Sequence, residues 1–411
     1  MRAPPRLLPR LLRQSGLDRL PLRIVLWTGE EFGSGSPKLT LRLRNPAALK
    51  LLMRPDAGRL ATAYVEGDID LLGDPQDVVS VGMSFGDLSI KPRRGWLRAW
   101  HSRGTDRKAV RFHYDVSNDF YALWLDHNMV YSCGYFRSDA DSLEQAQEQK
   151  LDHVCRKLCL KAGERFLDVG CGWGGLILWA AEYYGARCIG ITLSERQFER
   201  ATQLIRERGL QDRCEVRLAD YRDLEPQEPF DKIASVGMFE HVGRRNLRRY
   251  FQQIHDLLVS GGLLLNHGIA SSWTAGQSLG ASVGDFIDHY VFPDGELVHI
   301  AEASSELAAA GLELRDVEGL RPHYARTLWH WVERLDRNAE AARRLVGEKA
   351  YRVWRIYMAG SAHAFERGWI SLYQTLAARP RPDGFLDYPL TREHLYSGPR
   401  PQSVPAIETL P

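Results

Sequence analysis

Residues 168–175 read Asp168-Val169-Gly170-Cys171-Gly172-Trp173-Gly174-Gly175 and join an apolar stretch at 165–169 to a helical pattern at 175–184. Glycines at a strand-to-helix turn allow a sharp bend and a close approach of the backbone to a ligand. The helix that follows leaves backbone N–H groups unpaired at its first turn. The turn therefore predicts an α/β fold with a ligand site at the carboxyl end of a parallel strand.

Strand and helix patterns alternate around this turn. We expect a helix at 143–160, strands at 187–192, 214–218, 231–236 and 262–267, helices at 194–208, 244–259 and 298–310, and a final strand pair. Such alternation predicts a doubly wound, mostly parallel sheet with helices on both faces. The stretch 271–296 has no clear period and is a candidate lid inserted in this fold, whereas residues 326–378 have a helical pattern rich in aromatics.

The sequence outside the α/β domain, which we place at 112–385, predicts additional segments. Residues 1–25 alternate Arg and Leu, a pattern equally compatible with an amphipathic helix on a bilayer surface and with a solvated tail. Residues 26–90 predict a small N-terminal α+β domain. Turn-forming residues indicate a linker at 91–111 and an irregular tail at 386–411.

The composition excludes several classes of protein. The 411 residues include 54 Lys and Arg against 52 Asp and Glu, and this net charge of +2 is too balanced for a nucleic-acid-binding chain. The six cysteines have neither zinc-site nor disulfide spacing, which predicts a reducing, cytoplasmic compartment and no metal site. No stretch reaches the about 20 apolar residues that a membrane span needs.

Two features of the glycine turn favour a ligand other than a dinucleotide. Its glycines also fit G-x-G-x-x-G, but Thr192-Leu193-Ser194 stands where a dinucleotide site needs a carboxylate for the ribose. Asp168, directly before the glycines, resembles instead the first motif of the S-adenosylmethionine-dependent methyltransferases. Asp220 stands where that fold usually addresses adenine, and Tyr221 beside it offers a stacking face.

Further motifs resemble those of the cyclopropane-fatty-acid synthases. They are 113–121 (HYDVSNDFY), 129–136 (MVYSCGYF), 238–243 (MFEHVG), 266–269 (NHGI) and 323–328 (HYARTL). The resemblance covers residues 110–378 in order. The N-terminal hundred residues are similar, though less closely, to the extra domain of the members that act on phospholipids.

The resemblance implies a reaction and a set of site residues. Members of this family transfer a methyl group from S-adenosylmethionine to the cis double bond of an unsaturated acyl chain, and bound bicarbonate deprotonates the resulting carbocation, which closes a cyclopropane ring. The implied bicarbonate ligands are the side chains of Cys133, Glu240, His267 and Tyr324 and the backbone N–H of Ile269. The expected cofactor pocket comprises Tyr131, Ser132, Asp168, Gly170, Cys171, Gly172, Gly174, Thr192, Leu193, Gln197, Asp220, Tyr221 and Arg222. Tyr114 and Tyr121 are the expected substrate-lining residues.

Three functions are compatible with these motifs. The first is ring formation on membrane phospholipids with unsaturated acyl chains, by a cytoplasmic enzyme peripheral to the inner membrane face, with a homodimer as the candidate assembly. The second is C-methylation that stops at a methylene or methyl branch, because the same cation can collapse differently. The third is a lipid-binding protein with a vestigial cofactor site, against which the intact glycine turn and the complete bicarbonate set argue.

One residue departs from the pattern of many relatives. Ser361 stands where they carry a Cys in the C-terminal helical region. Because the chemistry needs no covalent enzyme intermediate, we expect a lining role at this position and an active enzyme.

Overall fold

The computed structural model describes residues 8–85, 91–92, 117–225, 228–273, 277–278, 281–291 and 296–397. The described strands are β1 Leu22–Val25, β2 Glu31–Gly33, β3 Leu39–Leu43, β4 Ile69–Leu72, β5 Lys91–Pro92, β6 Arg165–Val169, β7 Arg187–Thr192, β8 Cys214–Leu218, β9 Phe230–Val236, β10 Leu258–Ser271, β11 Gln277–Ser278, β12 Glu313–Gly319 and β13 Ile370–Ala378. The described α-helices are α1 Leu8–Ser15, α2 Lys50–Met53, α3 Ala57–Glu66, α4 Pro75–Met83, α5 Asn118–Ala122, α6 Leu143–Lys157, α7 Gly175–Tyr184, α8 Glu195–Glu207, α9 Leu247–Leu257, α10 Ala281–Tyr290, α11 Ile300–Ala309, α12 Arg321–Arg337, α13 Ala339–Glu366 and α14 Glu393–Tyr396. Tyr114, most of the expected linker 91–111 and the end of the expected tail lie outside the described residues.

A seven-stranded sheet has the order β12-β13-β10-β9-β6-β7-β8. The five strands from β10 to β8 pair in parallel, while β13 and β12 are added antiparallel at one edge. The predicted mostly parallel α/β sheet is therefore confirmed. Because β6 has β7 on one side and β9 on the other, the chain changes direction across the sheet beside β6, and ligands of such sheets bind at this switch point.

Local signals explain most of these elements. α6 begins with a capping box, in which Ser142 and Gln145 satisfy each other's backbone N–H groups. β6 and α7 have the predicted bounds. The helical expectation was wrong for residues 370–378, which form β13 between two antiparallel neighbours. This strand is buried along nearly its whole length, so its sequence lacks the alternation that marks a half-exposed strand.

The chain divides into two compact units, each built from separate segments. The first unit comprises Met1–Arg98, Ala275–Pro293 and Leu328–Trp369, and the second comprises Ala99–Thr274, Asp294–Thr327 and Ile370–Pro411. The second unit contains the seven-stranded sheet. This division differs from the expected boundaries, because residues 328–369, which include most of α12 and all of α13, and part of the candidate lid group with the N-terminal segment.

The first unit contains a four-stranded sheet in the order β2-β1-β3-β4, as expected for a small α+β domain. The expected leader does not stand apart from it, because β1 pairs with β3 and α1 packs on the same core. Leu8 and Leu12 are buried in that core, whereas Arg10 and Arg13 are exposed. The apolar face of the leader thus stabilises this unit. Among the described helices, none has the length and apolar content required to cross a bilayer.

One arginine of α13 connects distant segments of the first unit. Arg352 donates hydrogen bonds to the backbone oxygens of Tyr64 and Ile69 at 2.8 and 3.0 Å, and to Asp70 Oδ1 at 2.9 Å. Asp70 is buried, and a buried carboxylate requires a charged or hydrogen-bonding partner. The N-terminal sheet and α13 therefore belong to one packed body.

Candidate active site

A cavity of about 160 Å³ lies at the carboxyl ends of β6, β7, β8 and β9 in the second unit. Twelve of the thirteen residues expected to hold the cofactor line it: Tyr131, Ser132, Asp168, Gly170, Cys171, Gly172, Thr192, Leu193, Gln197, Asp220, Tyr221 and Arg222. The remaining one, Gly174, begins α7 with a left-handed φ of 88°. The expected cofactor residues thus come together around one cavity at the switch point of the sheet, whereas none of the five expected bicarbonate ligands lines it.

The glycine turn is fixed to the neighbouring strand. The N–H groups of Gly170 and Cys171 both donate to the backbone oxygen of Ile191, at 3.0 and 2.9 Å. Gly170 and Gly172 have φ values of 86° and 55°, in the region that side-chain-bearing residues rarely adopt. A Cβ on Gly170 would also lie 3.1 Å from Met238 Cβ. The turn therefore needs glycine for its conformation and presents bare backbone to the cavity.

The far end of the cavity combines an aromatic ring with a paired carboxylate. Asp220 accepts hydrogen bonds from Arg222 Nε at 2.9 Å and from its terminal nitrogen at 2.6 Å. The Arg222 guanidinium lies 5.5 Å from the centre of the Tyr221 ring. A flat face beside a carboxylate suits a heteroaromatic ring that carries an amino group.

Two buried charged residues also line the cavity, and one of them was not predicted. Asp168 and Lys150 are each only 2% exposed. Burial raises the pKa of Asp168 to about 7 and lowers the pKa of Lys150 to about 8, because the charged forms are desolvated. Lys150 Nζ donates to Ser132 Oγ at 3.0 Å, while Asp168 Oδ1 is buried without a hydrogen-bond partner.

Lys150 was not predicted as a site residue, because a lysine on a helix usually faces solvent. The available signal was its spacing along α6. Gln147 and Lys150 follow Leu143 by four and seven residues, and so share a helical face with that apolar residue and with Val154. All four side chains are buried. Polar residues on the apolar face of a helix therefore indicate that buried polar contacts are made there.

The residues expected to hold bicarbonate lie around β10. Glu240 Oε1 accepts a hydrogen bond from the Ile269 N–H at 2.7 Å, so this N–H, expected to bind bicarbonate, contacts Glu240 in the structure. Gln374 Nε2 donates to His267 Nδ1 at 3.1 Å, from the paired position on β13. This bond places the ring proton of neutral His267 on Nε2.

Two polar atoms of this group have no partner among the described residues. Glu240 Oε2 and His267 Nε2 are both buried and make no hydrogen bond. Burial raises the pKa of Glu240 to about 7 and lowers the pKa of His267 well below its usual value. Because buried polar groups are normally satisfied, each open atom indicates a missing partner: an acceptor for the His267 N–H and a hydrogen-bonding group for the Glu240 carboxyl. Bicarbonate can serve as either partner, because it both donates and accepts hydrogen bonds.

Backbone contacts connect Cys133 and Tyr324 to the same part of the sheet. Cys133 Sγ lies 4.0 Å from the backbone oxygen of Leu320, which also accepts the Tyr324 N–H at 3.1 Å. The Leu320 N–H donates to Leu372, the β13 partner of Ile269. Burial raises the pKa of the Cys133 thiol far above its usual range, which keeps it a neutral S–H donor.

Two other residues singled out in the sequence lie away from the cavity, and a third is outside the described residues. Tyr121 is fully buried, with its ring centre 5.6 Å from that of Tyr131 and 4.9 Å from that of Trp173, so it packs behind two lining residues and does not line the cavity itself. Ser361 is half-buried in α13 of the first unit. Tyr114 lies outside the described residues.

Comparison with protein families gives a match over residues 101–375 to the family described as "Mycolic acid cyclopropane synthetase". A "Probable fatty acid methyltransferase" from Pseudomonas putida is 48% identical over 383 residues, covering 92% of this chain and 96% of its own. The names of the family and of this relative therefore differ in the product they describe.

Two solved structures are similar to about two thirds of this chain. The cyclopropane synthase MmaA2 from Mycobacterium tuberculosis is 33% identical with a TM-score of 0.63, over 66% of this chain and 98% of its own. The mycolic acid cyclopropane synthase CmaA1, solved with S-adenosylhomocysteine and CTAB, is 35% identical with a TM-score of 0.62 over the same shares of both chains.

Proposed function

Because this chain belongs to the mycolic acid cyclopropane synthetase family, we propose that it forms cyclopropane rings on unsaturated acyl chains of membrane phospholipids. Membership confirms the predicted family resemblance and the class I methyltransferase-type fold. The protein is therefore an S-adenosylmethionine-dependent methyltransferase that acts on lipid acyl chains. The product and the phospholipid substrate are what we propose.

The observation that supports ring formation is the pair of open polar atoms, Glu240 Oε2 and His267 Nε2. Closing a ring requires a base that removes a proton from the newly added methyl group. The Cys133 thiol does not supply this base, because burial keeps it protonated, and the lone pair of His267 Nδ1 is occupied by Gln374. A bicarbonate ion bound by these open atoms would supply it.

The chain's residues have separate tasks in this mechanism. S-adenosylmethionine supplies the methyl group when it is bound at the glycine turn. Methylation leaves a carbocation on the acyl chain, which must be protected from water. The aromatic faces of Tyr131 and Tyr324 can stabilise this cation. The His267 Nε2–H, the Cys133 thiol and Glu240 would hold bicarbonate where it accepts the methyl proton.

The second candidate function is C-methylation that ends in a branched chain. It is favoured by the Pseudomonas putida relative, which is named a fatty acid methyltransferase. Methyl transfer is the same in both functions, and the products differ in what the cation does next. A ring closes when the new methyl group loses a proton and the electron pair of that C–H bond joins the methyl carbon to the cationic carbon. A methylene branch forms when a hydride first moves from the methylated carbon to the cationic carbon, and the methyl group then loses a proton to give a double bond.

Product analysis tests the proposal. The protein is incubated with methyl-labelled S-adenosylmethionine and a monounsaturated phospholipid, and the released fatty acids are analysed by mass spectrometry. A ring and a methylene branch both add one CH₂, but ozonolysis cleaves the branch double bond and leaves a ring intact. We expect an ozone-resistant product. A cleavable product would establish the second function, and label-free lipid would contradict both.

We also propose that the first unit binds anionic membrane surfaces through charge. Arg10 and Arg13 of α1 are exposed, and each cation near such a surface contributes ~1 kcal/mol, which salt screens. Deleting residues 1–25 would remove β1 as well, so charge reversal is the better test. Arg10→Glu/Arg13→Glu should reduce co-sedimentation with anionic vesicles at low salt.

The matched control is Arg187→Glu/Arg206→Glu, which makes the same charge change at exposed positions of the second unit. We expect this control to sediment as the parent does. Equal losses in both variants would mean that net charge alone is responsible, and no loss in either would remove α1 from the membrane contact.

A further inference from the structure

The buried polar face of α6 reaches the cavity through one short segment. Gln147 Nε2 donates to the backbone oxygens of Val130 and Ser132 at 3.3 and 2.7 Å. One turn later, Lys150 Nζ donates to Ser132 Oγ. Helix α6 therefore fixes the segment 130–132 and directs an ammonium group to a cavity that Ser132 also lines.

The buried carboxylates near this ammonium differ in how many hydrogen bonds they accept. Asp126 and Asp168 are the carboxylates whose charges act on it, and the thiols of Cys133 and Cys155 beside it are kept neutral by burial. Asp126 is occupied, because its two oxygens accept the N–H groups of Asn128 and Val130 at 2.9 and 2.8 Å. Asp168, by contrast, lines the cavity with Oδ1 unpartnered. Asp168 is therefore the buried carboxylate left to a ligand.

Lys150 is also only partly used. Among the described residues, its hydrogen-bond acceptor is the neutral hydroxyl of Ser132, although an ammonium carries further N–H donors. A buried charge without a paired counter-charge is costly. The cavity thus combines an ammonium with spare donors and a carboxylate with a spare acceptor, 18 residues apart in sequence.

We propose that Lys150 binds the carboxylate of the amino-acid end of S-adenosylmethionine, while Asp168 accepts its amino group. A zwitterion is the ligand chemistry that satisfies both open groups at once, through charge-assisted hydrogen bonds. The inference rests on the proposed function only for the identity of the cofactor. It adds a side-chain cation to a site where the glycine turn alone offered backbone N–H groups for that carboxylate.

A binding cycle between side chain and ligand tests this pairing. S-adenosylhomocysteine and its decarboxylated analogue, which keeps the amine, are titrated by calorimetry into the full-length protein and into Lys150→Met. One charge-assisted hydrogen bond corresponds to ~10- to 100-fold in affinity. We expect Lys150→Met to lose ~10- to 100-fold for S-adenosylhomocysteine and less than about threefold for the analogue.

Lys157→Met is the matched control. Lys157 lies on the same helix and is also fully buried, but it pairs with Glu318 at 2.6 Å and does not line the cavity. This variant should keep the parent's preference for the ligand with the carboxylate. If Lys150→Met does not fold, as judged by thermal unfolding, Lys150→Gln keeps N–H donors in place and serves in the same cycle.

The outcomes distinguish the proposed role of Lys150 from the assignment of the cofactor. Equal losses for both ligands, or no loss for either, would overturn the role of Lys150 while leaving the cofactor assignment intact. Failure of the parent protein to bind S-adenosylhomocysteine would overturn the cofactor assignment itself, and the proposed role with it.

Discussion

Glu240→Gln is expected to lower product formation ~10²- to 10³-fold while S-adenosylhomocysteine affinity stays within a few-fold of the parent, since removal of one well-placed electrostatic group typically has this effect. The substitution keeps the side-chain volume and an oxygen that can accept the Ile269 N–H. It removes the negative charge and leaves a group that no longer ionises in this pH range. The loss therefore reports on charge at this position, and product formation and ligand affinity are measured on the same samples.

The pH profile adds a second signature. Because burial raises the pKa of Glu240 to about 7, activity that needs the ionised carboxylate should rise as the pH increases through about 7. Glu240→Gln should lack this rise. Cys133→Ser, a milder change in the same group, should recover partly when bicarbonate is added. Turnover of Glu240→Gln within a few-fold of the parent, in bicarbonate-depleted buffer, would contradict the proposed base.

Among glycine-to-alanine substitutions in the site, we expect Gly268→Ala to be the most damaging. A Cβ at this position would lie 2.3 Å from Phe239 Cδ1, and Phe239 is a buried core residue adjacent to Glu240. The clash forces residues 239–241 away from β10 and breaks the Glu240–Ile269 contact. We expect a loss of ~1–3 kcal/mol in unfolding free energy, as for other overpacked cores. Product formation should fall about as far as in Glu240→Gln.

Gly82→Ala is the control for the added methyl group. A Cβ on Gly82, in α4, has no neighbour within 4 Å. Alanine is also the better helix former, so this variant should be as stable as the parent or more so. Thermal unfolding and product analysis compare the two variants, and a fully active Gly268→Ala would mean that the 239–241 turn tolerates displacement.

The fold could be predicted where local sequence determines conformation. Asp168 and the glycines after it fix both the end of β6 and the start of α7, so these two elements were located to the residue. β13 could not be found in this way, because burial on both faces removes its periodicity. The sequence also does not predict which segments form the first unit. Their association depends on contacts such as that of Arg352 with Asp70, two residues that lie far apart in sequence.

Prediction of the candidate site from sequence is limited in the same way. Motif positions such as Thr192 and Tyr221 line the cavity, because Thr192 ends β7 and Tyr221 comes shortly after β8. The contact between Glu240 and Ile269 joins two of the expected ligands to each other, and no spacing rule indicates such a bond. The burial of Tyr121 behind Tyr131 likewise follows from three-dimensional packing of aromatic rings.

The first unit can complete its core only late in protein synthesis, because its segments are far apart in the chain. Its core joins α1 and the N-terminal strands to Phe286 of α10 and to side chains of α13. A ribosome that adds ~5–20 residues per second needs roughly 14–57 s to advance from residue 85 to residue 369. During that interval the nascent N-terminal sheet lacks the helix that packs on its core, and we expect chaperones to bind the apolar surface that is exposed meanwhile.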